Sequence, residues 1–142
     1  LFEDTKKFPK TLKLVDGKEI AMLFQQGKRL KIFPFNVFYL QKKSKELKYN
    51  KVLFAVSKKR IRSAVQRNKV KRLCREAYRL HKHILNKAPN EAQPTRAFLI
   101  GYVYIGSPHD ICYAVCSKAM TASLQHLKKM LPLEQHPELP RV

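Results

Sequence analysis

The chain has 142 residues, enough for one domain with a hydrophobic core, and its 44% apolar content excludes a disordered basic tail. Thirty Lys and Arg against ten Asp and Glu leave a net charge of +20, a self-repulsion that a polyanion relieves, so nucleic acid is the first candidate partner. No apolar run approaches the ~18–20 residues that span a membrane, and Cys74, Cys112 and Cys116 fit no disulfide framework. With no secretory signal at the start, a reducing, cytoplasmic setting is expected.

Residues 1–15 are polar, carry Pro9 and show no sustained period; they read as an extended arm. Ile20, Leu23 and Phe24 then recur at helical spacing, with Asp16 as N-cap and Gly27 as stop, which predicts a short helix over 17–26. FPFNVFYLQ (33–41) is aromatic and β-branched and reads as a strand opened by Pro34. KVLFAVS (51–57) reads as the next strand, and the two are expected to pair as an antiparallel hairpin across a charged connection.

Arg67 to about Leu85 is the strongest helix, with Val70, Leu73, Cys74, Ala77, His81 and Ile84 on one face. The prolines of 86–95 end it. AFLIGYVYI (97–105) has the length and composition of a buried strand, and a last helix is expected over about 109–131. Its inward face is expected to carry Ile111, Val115, Ala119, Ala122, Leu127 and Met130 or Leu131. The Pro-rich tail, 132–142, reads as disordered. One domain over 16–131 with an α+β layered sandwich follows from this order.

The chemistry concentrates between Lys58 and Lys82, where eleven Lys and Arg meet one acid, Glu76. At 100° per residue, Asn68, Lys71, Arg72, Arg75, Arg79 and Lys82 gather opposite the apolar face. One side of the helix docks on the sheet and the other presents a row of cations. A merely solvated face alternates in sign for i,i+4 pairing, and this one does not. Arginine suits RNA because its planar fork grips a phosphate and stacks on a base. Ser57, Lys58, Lys59 and Arg60 at the strand end add further donors to such a contact. Strand aromatics also recur: Phe35, Phe38 and Tyr39, then Phe98, Tyr102 and Tyr104 on one shared face. Most are core by the usual logic of alternation, and a minority are candidates for base stacking.

The run Arg67-Asn68-Lys69-Val70-Lys71-Arg72-Leu73-Cys74-Arg75-Glu76-Ala77-Tyr78-Arg79 resembles the arginine-rich signature of the bacterial ribonuclease P protein subunit. The similarity extends through Ala55-Val56-Ser57-Lys58-Lys59 and Ala64-Val65, back to Ile20, Phe24 and Gly27, and on to Leu124-Gln125-His126-Leu127-Lys128-Lys129. It covers about 12–131. Two departures stand out: Lys69 replaces an arginine, and Arg62-Ser63 replaces the usual Gly-Asn in a connection one residue longer.

The resemblance implies a fold and a division of labour. The fold is a two-layer α+β sandwich, αβββαβα, with a left-handed βαβ crossover of the ribosomal protein S5 domain 2-like kind. The chain is then the protein subunit of an endoribonuclease that removes the 5′ leader from precursor tRNA, with one protein bound to each catalytic RNA. That RNA supplies the active site and holds Mg2+, so no catalytic residue and no protein-bound metal are expected. The RNA-binding residues implied are Ser57, Lys58, Lys59, Arg67, Asn68, Lys69, Lys71, Arg72, Arg75 and Arg79. The leader-binding cleft implied is lined by Ile20, Phe24 and Phe38.

A protein-borne nuclease would need clustered carboxylates or an acid–base pair. The ten acids are scattered. His109, Cys112 and Cys116 lack a fourth zinc ligand nearby, and two cysteines on an apolar helix face are more often core. A structural RNA-binding protein and a DNA-binding regulator remain the rival classes; the latter lacks a partner helix and tight turn before 67–85.

Overall fold

The computed structural model describes residues 12–43, 50–85 and 96–135. Three α-helices and four strands follow in the order α1 (Gly17–Gln26), β1 (Lys28–Ile32), β2 (Phe35–Lys43), β3 (Lys51–Val56), α2 (Ala64–His81), β4 (Arg96–Tyr104) and α3 (Tyr113–Gln135). A short 3-10 turn, Lys82–Ile84, extends α2. The fold is α+β, with the αβββαβα order that the resemblance implied.

The sheet order is β1-β2-β4-β3. β1 and β4 flank β2 antiparallel, and β3 runs parallel to β4 at the far edge. The expected hairpin between 33–41 and 51–57 therefore does not form. The tight turn at Phe33-Pro34 pairs β2 with β1 instead, and β4 lies between β2 and β3. The chain reading missed β1, KRLKI, because three of its five residues are cations. Its Leu30 and Ile32 nonetheless pack on the core.

One sheet face carries Phe35, Val37, Tyr39, Val52, Phe98, Ile100, Tyr102 and Tyr104 against Val70, Cys74, Ala77 and Tyr78 of α2 and Cys116, Met120, Leu124 and Leu127 of α3. Sheet and helix pair make the two layers. The short α1 lies on the other face, where Leu23, fully buried, packs with Leu14, Ala97 and Leu99. Burying these side chains is worth about 1.5–3 kcal/mol each before entropy is subtracted. The strand aromatics Phe35, Tyr39, Phe98, Tyr102 and Tyr104 are all in this core, so none of them is available to RNA.

Helix boundaries shift where caps decide them. Asp16 caps α1 by accepting from the Glu19 N–H, as expected. Gly27 ends it for lack of room rather than for a left-handed backbone. A Cβ there would lie 2.3 Å from the Leu23 carbonyl and 3.0 Å from that of Tyr39. α2 begins three residues before the expected Arg67, because the Ser63 hydroxyl accepts from the Gln66 N–H. The last helix begins at Tyr113, not 109. Asp110 instead accepts from the Ser107 N–H at 2.9 Å and its hydroxyl at 3.0 Å, closing a turn. Of its expected inward face Ala119 and Leu127 are buried and Ile111 and Met130 pack on the core, joined by Cys116, Met120, Ser123 and Leu124, while Val115 is half-buried and Ala122 exposed.

The helical backbone runs on to Gln135, so residues 132–135 of the expected tail are helical; 136–142 lie outside the described residues. So do 1–11 of the expected arm. Residues 12–15 lie against the sheet: Lys13 bridges Val52 in parallel fashion, the Leu14 N–H donates to the Val52 carbonyl at 2.9 Å, and Leu14 is buried. No helix among the described residues is long and apolar enough to cross a membrane.

Candidate nucleic-acid interface

The cations of α2 occupy one side because the other is committed to the core. Asn68, Lys69 and Arg72 are exposed, and Lys71, Arg75 and Arg79 are half-buried along the flank. Glu76, the one carboxylate of α2, accepts from the Arg79 guanidinium, with Nε at 3.3 Å from Oε2. Between Arg72, Arg75, Glu76, Arg79 and Lys13 lies a depression of about 230 Å³. Lys13 is the residue sequence reading missed. Only the pairing of its segment with β3 brings it beside α2, and no local pattern signals that.

Lys82 does not belong to the row. It sits in the 3-10 turn with 9% exposure, where burial and the neighbouring Arg79 charge lower its pKa. The helix geometry that placed it in line ends at His81. Arg67 also has a structural role. Its Nη1 donates to the carbonyls of Ile61 at 2.9 Å and Arg62 at 2.8 Å, tying the loop before α2 to the first helical turn. That loop is anchored again by buried Ile61 and by Arg60, whose Nη1 donates to the Ile105 carbonyl at 2.7 Å. Lys58 and Lys59 remain exposed on it. The Ser57 hydroxyl accepts from the Arg60 N–H at 3.3 Å, which leaves its own proton free to donate.

A second site lies on the opposite sheet face. The rings of Phe24 and Phe38 meet edge to face with centroids 4.8 Å apart, and Phe24 is 38% exposed. Ile20 is half-buried one turn back along α1. The three predicted cleft residues are thus brought together. Beneath them Gly101 stands directly opposite Phe38 on β4. A Cβ there would lie 3.1 Å from Leu23 Cδ2 and 3.5 Å from Phe24 Cζ, so its absence lets α1 seat closely on the sheet. The lone glycine in AFLIGYVYI was the available signal for this approach. Lys51 holds Glu19 of α1 at 3.3 Å.

Asp16 accepts from the Glu19 N–H, Glu19 pairs with Lys51, Glu76 with Arg79, and Asp110 accepts from Ser107. Among the described residues no three His, Cys, Asp or Glu converge on one position. Cys112 is exposed, whereas Cys116 is buried against Cys74. The hydrogen bond with Cys116, together with burial, pushes the Cys74 thiol above its usual range. Both are core groups. His81 Nε2 bonds the Ser117 hydroxyl at 2.8 Å, joining α2 to α3.

The arrangement offers two surfaces, a cationic helix flank and a partly exposed aromatic pair, on opposite faces of one sheet. A family model for ribonuclease P matches residues 8–100. The ribonuclease P protein component of Porphyromonas gingivalis strain W83 is 45% identical over 84 residues, which span 58% of this chain and 61% of that relative. The component of Desulfotalea psychrophila is 33% identical over 111 residues, 78% of this chain and 86% of the relative. Among solved structures, the Staphylococcus aureus RNase P protein superposes with a TM-score of 0.62 at 20% identity, covering 82% of this chain and 95% of that one. The Thermotoga maritima RNase P protein gives 0.61 at 20%, over 80% and 96%. At such identity the likeness is one of fold.

Proposed function

The chain belongs to the ribonuclease P protein family, and from that premise we propose that it is the protein subunit that helps a catalytic RNA remove the 5′ leader from precursor tRNA. The observation that carries this reading is the cation-lined flank of α2, where Lys13, Arg72, Arg75 and Arg79 surround one depression and the single carboxylate, Glu76, is paired with Arg79. Such a flank suits a folded RNA backbone, whose phosphates bind guanidinium forks without regard to sequence. The Phe24/Phe38 pair suits the leader, since stacking accepts any base and leaders vary.

Chemistry on this reading belongs to the RNA, with Mg2+ held there. The protein's part is to neutralise and to hold: α2 and the 57–62 loop on the catalytic RNA, Ile20, Phe24 and Phe38 on the leader. One protein serves one RNA, in the cytoplasm, where precursor tRNA is made.

The test is cleavage of a precursor tRNA by a bacterial catalytic RNA at low magnesium, where phosphate repulsion is least screened. The protein should restore cleavage at the mature 5′ end. No stimulation under those conditions overturns the reading.

A further inference from the structure

On the face that α1 half-covers, β1 sets two cations in register with the aromatic pocket. Residues directly opposite in an antiparallel pair share a face, with Cβ atoms about 4.5–5.5 Å apart. Arg29 stands opposite Phe38, and Lys31 opposite Asn36. Both cations are exposed, while Leu30 and Ile32 between and beyond them turn to the core. Among the described residues neither has an ion-pair partner. α1 packs over β2 and β4, and Phe38 on β2 is the neighbour that Arg29 faces across the strand pair.

We propose that Arg29 and Lys31 extend the leader track past the Phe24/Phe38 pair, each holding one phosphate of the single strand. The inference rests on the leader-binding reading above. Two residues along a strand advance about 6.6 Å, comparable with one nucleotide step of an extended single strand, so successive outward cations meet successive phosphates. Arg29, beside Phe38, takes the phosphate next to the stacked base, and Lys31 takes the following one. No base edge is read. The strip therefore adds affinity with leader length and is indifferent to leader sequence. A different role is available to the same residues: cations on an edge strand discourage pairing between copies. That role predicts no change in leader binding, which separates the two.

The experiment uses holoenzyme assembled from the catalytic RNA and wild-type protein, the R29Q/K31Q double variant, or K128Q/K129Q. The last removes two exposed cations from α3, across the sheet. Affinity is measured for precursor tRNAs whose leaders lengthen by one nucleotide at a time, over a range of salt. Wild type and K128Q/K129Q should gain affinity until the leader spans the strip. R29Q/K31Q should match them on short leaders and stop gaining about two nucleotides earlier. On long leaders it should lose roughly tenfold at low salt, with the salt slope flattened by about 1.4, or ~0.7 per phosphate. Single variants R29Q and K31Q, each showing half the slope change, cover the case in which the double variant self-associates through its edge. Equal length dependence in wild type and R29Q/K31Q overturns the inference, as does an equal loss on short and long leaders. A wild-type holoenzyme indifferent to every leader overturns the leader reading itself.

Discussion

Replacing Gly101 with valine should disable the aromatic pocket while leaving the cationic flank intact. The glycine lies mid-strand, opposite Phe38 on one side and Leu53 on the other. Even the Cβ of alanine would stand 3.1 Å from Leu23 Cδ2, and Leu23 is fully buried. Valine adds two methyls beyond that point, into the space Leu23 and the Phe24 ring now fill. Overpacking of this kind costs about 1–3 kcal/mol. Removing a mid-strand glycine returns about 0.5–1 kcal/mol of backbone entropy, so a net loss of about 1–2 kcal/mol is expected. For a domain of this size that is a drop in Tm of roughly 3–8 °C. If α1 lifts to relieve the clash, Phe24 parts from Phe38 and leader-dependent affinity falls about tenfold, as one stacked base is worth about 1–3 kcal/mol. Thermal melting and holoenzyme affinity for precursor tRNA with and without a leader measure both effects. A G101V protein with wild-type Tm and wild-type leader dependence refutes the close-approach argument.

Arg72→Ala and Arg75→Ala should each weaken binding to the catalytic RNA and flatten its salt slope by about one phosphate, whereas Phe24→Ala should weaken leader binding alone; one shared phenotype would contradict two separate surfaces. Arg67→Ala should cost folding stability as well as RNA affinity, about 1.5–3 kcal/mol for charged hydrogen bonds to the Ile61 and Arg62 carbonyls, and Arg67→Lys should recover only part of it. Denaturant unfolding decides, and a wild-type midpoint for Arg67→Ala would remove its tethering role. Burial pushes the Tyr78 and Tyr102 hydroxyls above their ordinary value of 10.0, and that of Tyr104 up to about 12. Because the folded state holds these protons longer, their contribution is complete below about pH 10 and is lost as pH rises toward the folded values. Unfolding midpoints between pH 9 and 11 should therefore fall, less steeply in Tyr78→Phe; a flat profile would contradict this.

The features legible from the chain alone are local in origin. The apolar stripe of α2 and the cations opposite it are legible because a helix repeats every 3.6 residues, so a few neighbours decide each face. Asp16 could be read as a cap, and Ile20 and Phe24 as one helix face, for the same reason. The burial of Phe98 and its neighbours followed from their composition, but not which aromatics stay outside. That β4 separates β2 from β3 emerges only in the folded chain, since strand partners come from distant segments and period-two alternation carries no address. Folding also moved Lys82 out of the cation row, spent Arg67 on its own loop, and brought Lys13 to α2 by pairing with Val52. The pocket was legible as residue types and unreadable as a place. Phe24 meets Phe38 because Gly101, seventy-seven positions after Phe24 in the chain, has no side chain to hold α1 away.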